Sequence, residues 1–258
     1  MKPLFFGSSR RRLYGVYHAA HAATARDEAV LLCHPGVQEY NATHWAFRKL
    51  AAMLVRDGFH VLRFDWSGTG DSAGDVQDVS PADWIDDVGV AARELAAVSA
   101  ARSLSIVGMR LGAALGALAC AAGLSVGELV LWEPVVVGRR YVDELERLDA
   151  SENFRLLHRG RRGKEQLVGY AFPSAMREAI AEIDLRKERF EHAKRLSMFV
   201  SSDRAEHREL REVLSSAGVA VGCRQVLEDA TGAGALESAL LSNNVLVAIT
   251  DHLSGRVS

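Results

Sequence analysis

A five-residue segment bounded by glycines, residues 108–112, has the arrangement in this chain that most directly suggests chemistry. It reads Gly-Met-Arg-Leu-Gly, after a short apolar run and before a stretch rich in alanine. The pattern G-x-S-x-G in that context holds a nucleophilic serine on a sharp turn between a strand and a helix. Here the central residue is Arg110, whose guanidinium keeps its proton in proteins and is not a nucleophile. The segment, called the elbow below, therefore predicts the turn but argues against serine chemistry at its centre.

The sharp turn of the elbow constrains the backbone conformation of its central residue. That residue is expected to have a positive φ, which costs a non-glycine residue about 1–3 kcal/mol, and the glycines on either side relieve crowding. The helix that follows offers free N–H groups and the positive end of its dipole, which favour an oxyanion or a carboxylate. Arg110 would add a full positive charge there. Two interpretations stay open, an anion-binding residue or a structural ion pair.

The elements that must position the elbow follow from the alternation of short apolar runs with amphipathic helical stretches. This alternation predicts a mostly parallel sheet covered by helices, the α/β class. The predicted strands are 4–7, 13–18, 29–33, 60–64, 103–107, 128–132, 196–201 and 219–227. The predicted helices are 43–57, 80–99, 111–122, 205–217 and 238–252. Residues 142–191 are charged and helical in character, which predicts a helical cap inserted into a single domain that covers residues 1–258.

The bulk composition excludes several classes of protein. With 258 residues, 48% of them hydrophobic and 25% charged, the chain fits one globular domain. The net charge of -2 gives no general electrostatic case for binding nucleic acid or an anionic membrane. The N-terminal segment has no signal-peptide pattern, and no apolar run approaches the length of a transmembrane helix. We therefore expect a cytoplasmic protein without a membrane span.

Cofactor and metal sites are not expected from the motifs. The cysteines Cys33, Cys120 and Cys223 lie far apart in apolar segments, without metal-ligand spacing, which fits a reducing compartment. The glycines of residues 68–74 do not have the spacing of a dinucleotide-binding loop, and a turn near the mouth of a site explains them equally well. We predict no cofactor and no metal, and we leave open a homo-oligomer or a protein partner.

Four segments carry a resemblance to a known family, namely residues 32–36, 63–72, 108–113 and 131–136. Over most of its length the chain resembles α/β-hydrolases of the serine aminopeptidase type. Within that group it is most similar to the second hydrolase of the exosortase A system-associated pair, whose elbow reads G-L-R-L-G-A. The resemblance implies the α/β-hydrolase fold with a small helical cap. It also implies a place in exopolysaccharide-related or acyl metabolism of a Gram-negative bacterium.

The resemblance also assigns an oxyanion-hole position. The loop after the third predicted strand, with His34 and the backbone N–H groups near Gly36 and Val37, would face the elbow. The N–H of Leu111 would be the second donor. These residues are our candidates for ligand binding.

The other two roles of a catalytic triad are only partly filled. Asp203 follows the predicted strand 196–201 and matches the acid position of the family, while no histidine follows the last predicted strand. His207 and His252 are expected at the surface, and a catalytic base must lie within hydrogen-bond reach of its target. A buried arginine needs a partner, so we expect Arg110 to pair with Asp203 or with Glu133. These three residues are the catalytic candidates.

Three functions remain open at this stage. The first is a protein with a degenerate triad that retains a pocket for a small acyl, ester or carboxylate compound. The second is a non-catalytic scaffold or partner protein, and the third is a hydrolase that uses an unrecognised nucleophile or a water oriented by Asp65 or Asp203. The basic run within residues 155–164 could attract an anionic ligand or could be a solvated helix face.

Overall fold

The computed structural model describes residues 1–151, 165–219, 221–226 and 243–256. Within these ranges the strands are β1 (Lys2–Gly7), β2 (Arg12–His18), β3 (Glu28–Cys33), β4 (His60–Phe64), β5 (Ser103–Met109), β6 (Glu128–Trp132), β7 (Gln166–Leu167), β8 (Tyr170–Ala171), β9 (Leu196–Val200) and β10 (Val221–Gln225). The helices are α1 (Val37–Arg56), α2 (Pro81–Ser99), α3 (Leu111–Ala121), α4 (Gly138–Ala150), α5 (Ser174–Ala181), α6 (Ala205–Ser216) and α7 (Asn243–Leu253). Short 3₁₀ turns occupy Val76–Asp78 and Leu185–Lys187.

The main sheet has eight strands in the order β1-β2-β4-β3-β5-β6-β9-β10. The six strands from β4 to β10 in this order run parallel, while β2 pairs antiparallel with both β1 and β4. This confirms the predicted mostly parallel sheet. Because the carboxyl ends of parallel strands meet at one edge, the loops after β3, β4, β5, β6 and β9 gather there.

Helices cover both faces of the sheet, and each face has its own apolar core. Along β3, Val30 and Leu32 pack with α1 and α7, whereas Leu31 and Cys33 pack with α2 and α3. This alternation is the two-residue period of a strand with both faces buried. Cys33 is a small residue of this core, since its side chain is fully buried.

Helix boundaries follow local signals where those signals exist. α2 begins as predicted, because the Ser80 hydroxyl and the Asp83 carboxylate form a reciprocal capping box and Pro81 occupies the first turn. The predicted start of α1 at residue 43 is wrong: the helix begins at Val37, since its first turns are polar and its N-cap, Gly36, makes no side-chain cap. The correction matters because the missed turns carry Glu39.

The chain leaves the sheet between β6 and β9 to form the segment predicted as a cap. Its described part holds α4, the separate two-stranded hairpin β7–β8 and α5, so it is not purely helical. The predicted start at residue 142 lies inside α4, which begins at Gly138. A Cβ atom at Gly138 would lie 1.7 Å from the Ile180 carbonyl oxygen, so glycine lets this helix approach α5. The basic run of residues 155–164 lies outside the described residues, and the cap assignment stays a prediction.

None of the helices in the described ranges combines the length and apolar character needed to cross a membrane.

Candidate functional site

The elbow is a sharp turn between β5 and α3. Arg110 has φ 52° and ψ -119°, a strained region for a residue with a side chain. A Cβ atom at Gly108 would lie 2.5 Å from the Ala113 Cα, and one at Gly112 would lie 2.2 Å from the His34 carbonyl oxygen. The glycines therefore allow the close approach of strand, helix and neighbouring loop that the sequence pattern predicts.

The side chain of Arg110 is buried between α1 and α4, with only 2% of the residue exposed. Its Nε donates to Glu39 Oε1 at 2.9 Å, and its Nη2 donates to Glu144 Oε2 at 3.1 Å. The ring of Tyr141 lies 5.3 Å from the Arg110 Cζ, and the Tyr141 hydroxyl donates to Glu39 Oε2 at 3.2 Å. We call these four residues the Arg110 cluster.

The charges within the Arg110 cluster satisfy one another. Burial alone would lower the pKa of Arg110, but the carboxylates of Glu39 and Glu144 hold it above its usual value. Burial, with the nearby charge of Glu39, raises the pKa of Tyr141, so this phenol stays neutral at neutral pH. One cation thus faces two carboxylates, which leaves no excess positive charge at the elbow for an incoming anion.

The expected partners of Arg110 lie elsewhere. Asp203 is exposed, and its carboxylate pairs with Arg208 at 3.0 Å and with Arg211 at 3.4 Å. Glu133 is buried, accepts from the backbone N–H of Ser201, and makes no ion pair with Arg110. The predicted pairing of Arg110 with Asp203 or Glu133 is therefore wrong, because Glu39 and Glu144 occupy the guanidinium. Catalytic roles for Asp203 and Glu133 stay predictions.

The two histidines expected at the surface have different environments, because His252 is exposed as predicted whereas His207 is not. His207 is buried, and neither ring nitrogen finds a hydrogen-bond partner among the described residues. Burial lowers its pKa, while the charge of Glu133 opposes that shift. The spacing of His207 with Leu210 and Leu214 marks the buried face of α6, a signal that sequence inspection could have used. The expectation of a surface histidine at residue 207 is wrong.

His252 belongs to a cluster near the amino ends of the parallel strands, whereas the elbow lies at their carboxyl ends. Its Nε2 lies 2.9 Å from Ser197 Oγ and also contacts Glu128 Oε1, and the Ser197 hydroxyl donates to the same carboxylate at 2.7 Å. In a catalytic triad the serine and the acid bind different ring nitrogens. Here one nitrogen serves both, so the cluster does not form a displaced relay.

The carboxylate of Glu128 is held in its charged form by this cluster. Burial disfavours that charge, but hydrogen bonds from His252, Ser197 and Arg195 outweigh it and keep the pKa of Glu128 below its usual value. We therefore interpret the cluster as a structural link between β6, β9 and α7.

The predicted oxyanion loop and the elbow are neighbours in the structure. A Cβ atom at Gly36 would lie 3.2 Å from Leu111 Cδ2 and 3.4 Å from the Tyr141 hydroxyl. Val37, the other predicted donor of this loop, is the first residue of α1. The side chains of Leu111 and Tyr141 thus occupy the space beside this loop, and oxyanion binding there stays a prediction.

A cavity of about 320 Å³ opens beside this filled region, between the loops after β3 and β4 and the short strand β8. Its lining residues are His34, Tyr40, Asn41, Trp66, Gly68, Thr69, Gly70, Val76, Tyr170 and Ala171. We call it the Tyr170 cavity. It contains His34 from the predicted ligand-binding set, but Arg110 does not line it.

Two groups of this cavity have hydrogen-bonding capacity to spare. The Nδ1 of His34 donates to the Pro35 carbonyl at 2.8 Å, so its Nε2 is an acceptor, and that atom has no partner among the described residues. The Tyr170 hydroxyl accepts from Asn41 Nδ2 at 2.8 Å, which leaves its own proton available. The cavity therefore offers one neutral donor, the Tyr170 hydroxyl, while the unpaired His34 Nε2 is itself buried.

The buried histidines His18 and His34 are expected to make stability depend on pH. Burial is the main cause that lowers the pKa of each to about 4, and nearby Arg63 contributes in the same direction. Because the unfolded chain binds more protons than the folded chain in this range, the free energy of unfolding should fall as pH drops from about 6.5 to about 4. Full stability is expected above that window.

His34→Gln should flatten that pH-dependent fall. Urea unfolding midpoints between about pH 7 and pH 4 measure it, with the exposed His192→Gln as the matched control. The same pH dependence in His34→Gln and in the unaltered chain would contradict this assignment.

Neither metal nor thiol chemistry finds support in the described part of the chain. No group of three or more His, Cys, Asp or Glu side chains is arranged there to hold a metal ion. Burial raises the pKa of Cys33 and raises that of Cys120 to about 12, so neither thiol is an activated nucleophile.

Comparison with known proteins finds one matching family model and several similar structures. The family model described as "Serine aminopeptidase, S33" matches residues 24–212. No curated protein matches the chain. A putative hydrolase from Agrobacterium vitis S4 is similar in structure, with 13% identity and a TM-score of 0.64 over 100% of this chain and 98% of that one.

Two further solved structures are similar to a comparable degree. Est1E from Butyrivibrio proteoclasticus, solved with ferulic acid bound, has 13% identity and a TM-score of 0.67 over 98% of this chain and 96% of its own. The bottromycin epimerase BotH, in complex with bottromycin A2, has 15% identity and a TM-score of 0.66 over 100% of both chains. At these identities the likeness shows the fold alone, and it confirms the predicted α/β-hydrolase fold.

Proposed function

Because the chain belongs to the serine aminopeptidase (S33) family of α/β-hydrolases, we propose that it is a member with a degenerate triad that does not use an acyl-serine intermediate. In place of that chemistry it binds a small acyl, ester or carboxylate compound. The observation that carries the proposal is the Arg110 cluster. The nucleophile position of the elbow holds the buried guanidinium of Arg110, whose charge is neutralised by Glu39 and Glu144.

The Tyr170 cavity is the ligand site that we propose. Its volume of about 320 Å³ lies near the lower end of the range for ligand pockets, about 300–1,000 Å³, which suits a small compound. The Tyr170 hydroxyl can donate to a carbonyl oxygen of the ligand. Trp66 offers an apolar wall beside it.

The elbow sequence supports a narrower affiliation. We propose that the chain is the arginine-containing hydrolase of the exosortase A system-associated pair, since residues 108–113 read Gly-Met-Arg-Leu-Gly-Ala. That affiliation would assign it to exopolysaccharide-related or acyl metabolism in the cytoplasm of a Gram-negative bacterium.

A non-catalytic scaffold is the second candidate, favoured by one observation. The Arg110 cluster ties the elbow to α1 and α4, and Arg110 is not among the residues that line the Tyr170 cavity. A scaffold needs rigidity and a partner or a second copy of the chain, and it needs no ligand. The two candidates differ in whether small compounds raise the unfolding temperature.

Labelling with a fluorophosphonate probe tests the loss of serine chemistry. We expect the intact mass to stay unchanged and the hydrolysis of 4-nitrophenyl acetate to stay at the rate in buffer, because no serine occupies the elbow. An active serine hydrolase in the same assay is the positive control. One adduct per chain at a serine would contradict the proposal.

A panel of small esters, amides and free acids in a thermal unfolding assay tests the binding role. A compound that binds the folded chain raises the unfolding temperature. Ala171→Trp, which fills the Tyr170 cavity, should abolish that rise, whereas Ala97→Trp on the exposed face of α2 should preserve it. Absence of any rise across the panel would favour the scaffold.

A further inference from the structure

A second cavity, of about 330 Å³, lies between α1 and the strands β2 and β4. It shares His34 and Tyr40 with the Tyr170 cavity as a common wall, but its other lining residues differ. The distinctive ones are Arg63 on β4 with His44 and Arg48 on α1. We call it the Arg63 cavity.

Two arginines of the Arg63 cavity lack an acidic partner. Within the ranges that the structure describes, no carboxylate oxygen lies within 4.0 Å of a guanidinium nitrogen of Arg63 or Arg48. Arg63 is half-buried, and its Nε donates only to the neutral ring of His18, at 3.4 Å. Arg11, which is also partly buried, is paired with Asp83 and Asp87, whereas the partly buried Arg26 donates to the backbone carbonyls of Asp57 and Ser254. A desolvated cation normally has a counter-charge, so its absence here points to an external anion.

Two acids, Asp65 and Asp71, line the cavity, and the carboxylate of Asp65 is already used by other groups. Asp65 Oδ1 accepts from the Tyr40 hydroxyl at 3.0 Å, and its Oδ2 accepts from the Asp71 backbone N–H at 3.0 Å. A Cβ atom at Gly70 would lie 2.2 Å from Asp65 Oδ2, so any larger residue at this position would displace the carboxylate. Asp65 therefore lowers the net charge of the cavity without neutralising either guanidinium directly.

The pKa values of His44 and Arg63 show that both side chains are partly desolvated. Burial is the main cause that lowers each pKa; Arg48 adds to both shifts, Arg63 adds to that of His44, Asp65 opposes both, and Tyr40 opposes that of Arg63. Leu32, Phe47 and Phe64 give the cavity an apolar portion as well. A cationic end and an apolar body are together the requirements of an amphiphilic anion.

We propose that the Arg63 cavity binds the carboxylate of a small apolar acid, with Arg63 and Arg48 as its charge partners. The Arg63 cavity is a second ligand site beside the Tyr170 cavity. The proposal rests on the proposed function only in so far as that function is the binding of a small carboxylate compound. It does not depend on the elbow or on occupation of the Tyr170 cavity.

Calorimetric titration of the full chain with benzoate tests this proposal. We expect benzoate to bind and uncharged benzamide not to bind, because the charge supplies the main attraction. Arg63→Gln should weaken benzoate binding by about tenfold or more, and Arg48→Gln by a smaller factor because that side chain is exposed. Arg56→Gln, an exposed arginine further along α1, is the matched control and should leave the affinity unchanged.

Two further variants separate this site from folding and from the proposed function. Arg63→Lys keeps the charge and should retain part of the affinity, so it shows whether loss in Arg63→Gln reflects charge or misfolding. Ala171→Trp should leave benzoate binding intact. Equal binding of benzoate and benzamide, unchanged affinity in Arg63→Gln, or no benzoate binding would overturn the proposal. Fluorophosphonate labelling, which tests the elbow, is a separate readout.

Discussion

Replacing Arg110 with alanine is expected to lower the free energy of unfolding by about 3 kcal/mol or more. The change leaves Glu39 and Glu144 facing each other without their shared cation, and Glu39 is mostly buried. The partial exposure of Glu144 puts the expected loss near the lower end of the range for broken buried ion pairs. Alanine keeps the strain of a positive φ at the elbow, so no relief of backbone strain offsets this loss. A domain with about 5–15 kcal/mol of total stability would lose a large share of it.

Urea unfolding near neutral pH measures this effect. Arg102→Ala is the matched control, because the Arg102 side chain is 88% exposed and its pairing with Asp27 is a surface contact. We expect that variant to cost less than about 1 kcal/mol. An Arg110→Ala variant no less stable than Arg102→Ala would contradict the structural role of the cluster.

Replacing Gly112 with alanine should have a comparably large effect. The new methyl group would lie 2.2 Å from the His34 carbonyl oxygen and 2.4 Å from the Cys33 carbonyl oxygen. Both are backbone atoms, one in the last residue of β3 and one in the loop after it, so this backbone or α3 must shift to accommodate the methyl group. We expect the free energy of unfolding to fall by about 3 kcal/mol or more.

The matched control for that variant is Gly89→Ala in α2. A Cβ atom there meets only the end of the Arg93 side chain, at 3.5 Å, and alanine favours the helix. We expect Gly89→Ala to raise the free energy of unfolding by about 0.5–1 kcal/mol. Urea unfolding of both variants compares them, and equal stabilities would show that the elbow tolerates a larger residue.

The backbone of the site could be predicted from the sequence because its causes are local. The glycines of residues 108–112 report the turn, the alternation of apolar runs reports the sheet, and the Ser80 capping box reports the start of α2. Each signal acts within a few residues along the chain.

The partners of Arg110 could not be predicted in the same way. Glu39 is 71 positions and Glu144 is 34 positions away in sequence, and both stand on helix turns without a distinctive motif. The predicted start of α1 is too late in the chain, which removes Glu39 from consideration. The resemblance directs attention to Asp203, whose carboxylate the fold gives to Arg208 and Arg211.

The prediction that His207 is exposed fails for a different reason. The apolar spacing of α6 places residue 207 on the same face as Leu210 and Leu214, so the pattern is present in the sequence. Polar residues on a helix are usually exposed, and that expectation outweighs the pattern.

A double-mutant cycle in the free energy of unfolding most directly tests whether the elbow holds a structural cation. It compares Arg110→Ala, Glu39→Gln and the double variant with the unaltered chain, so that effects outside the pair cancel. If the guanidinium acts as the counter-charge of Glu39, the coupling energy should be about 1–3 kcal/mol. A coupling energy below about 0.5 kcal/mol would mean that the two residues act independently, and it would contradict the structural role of Arg110.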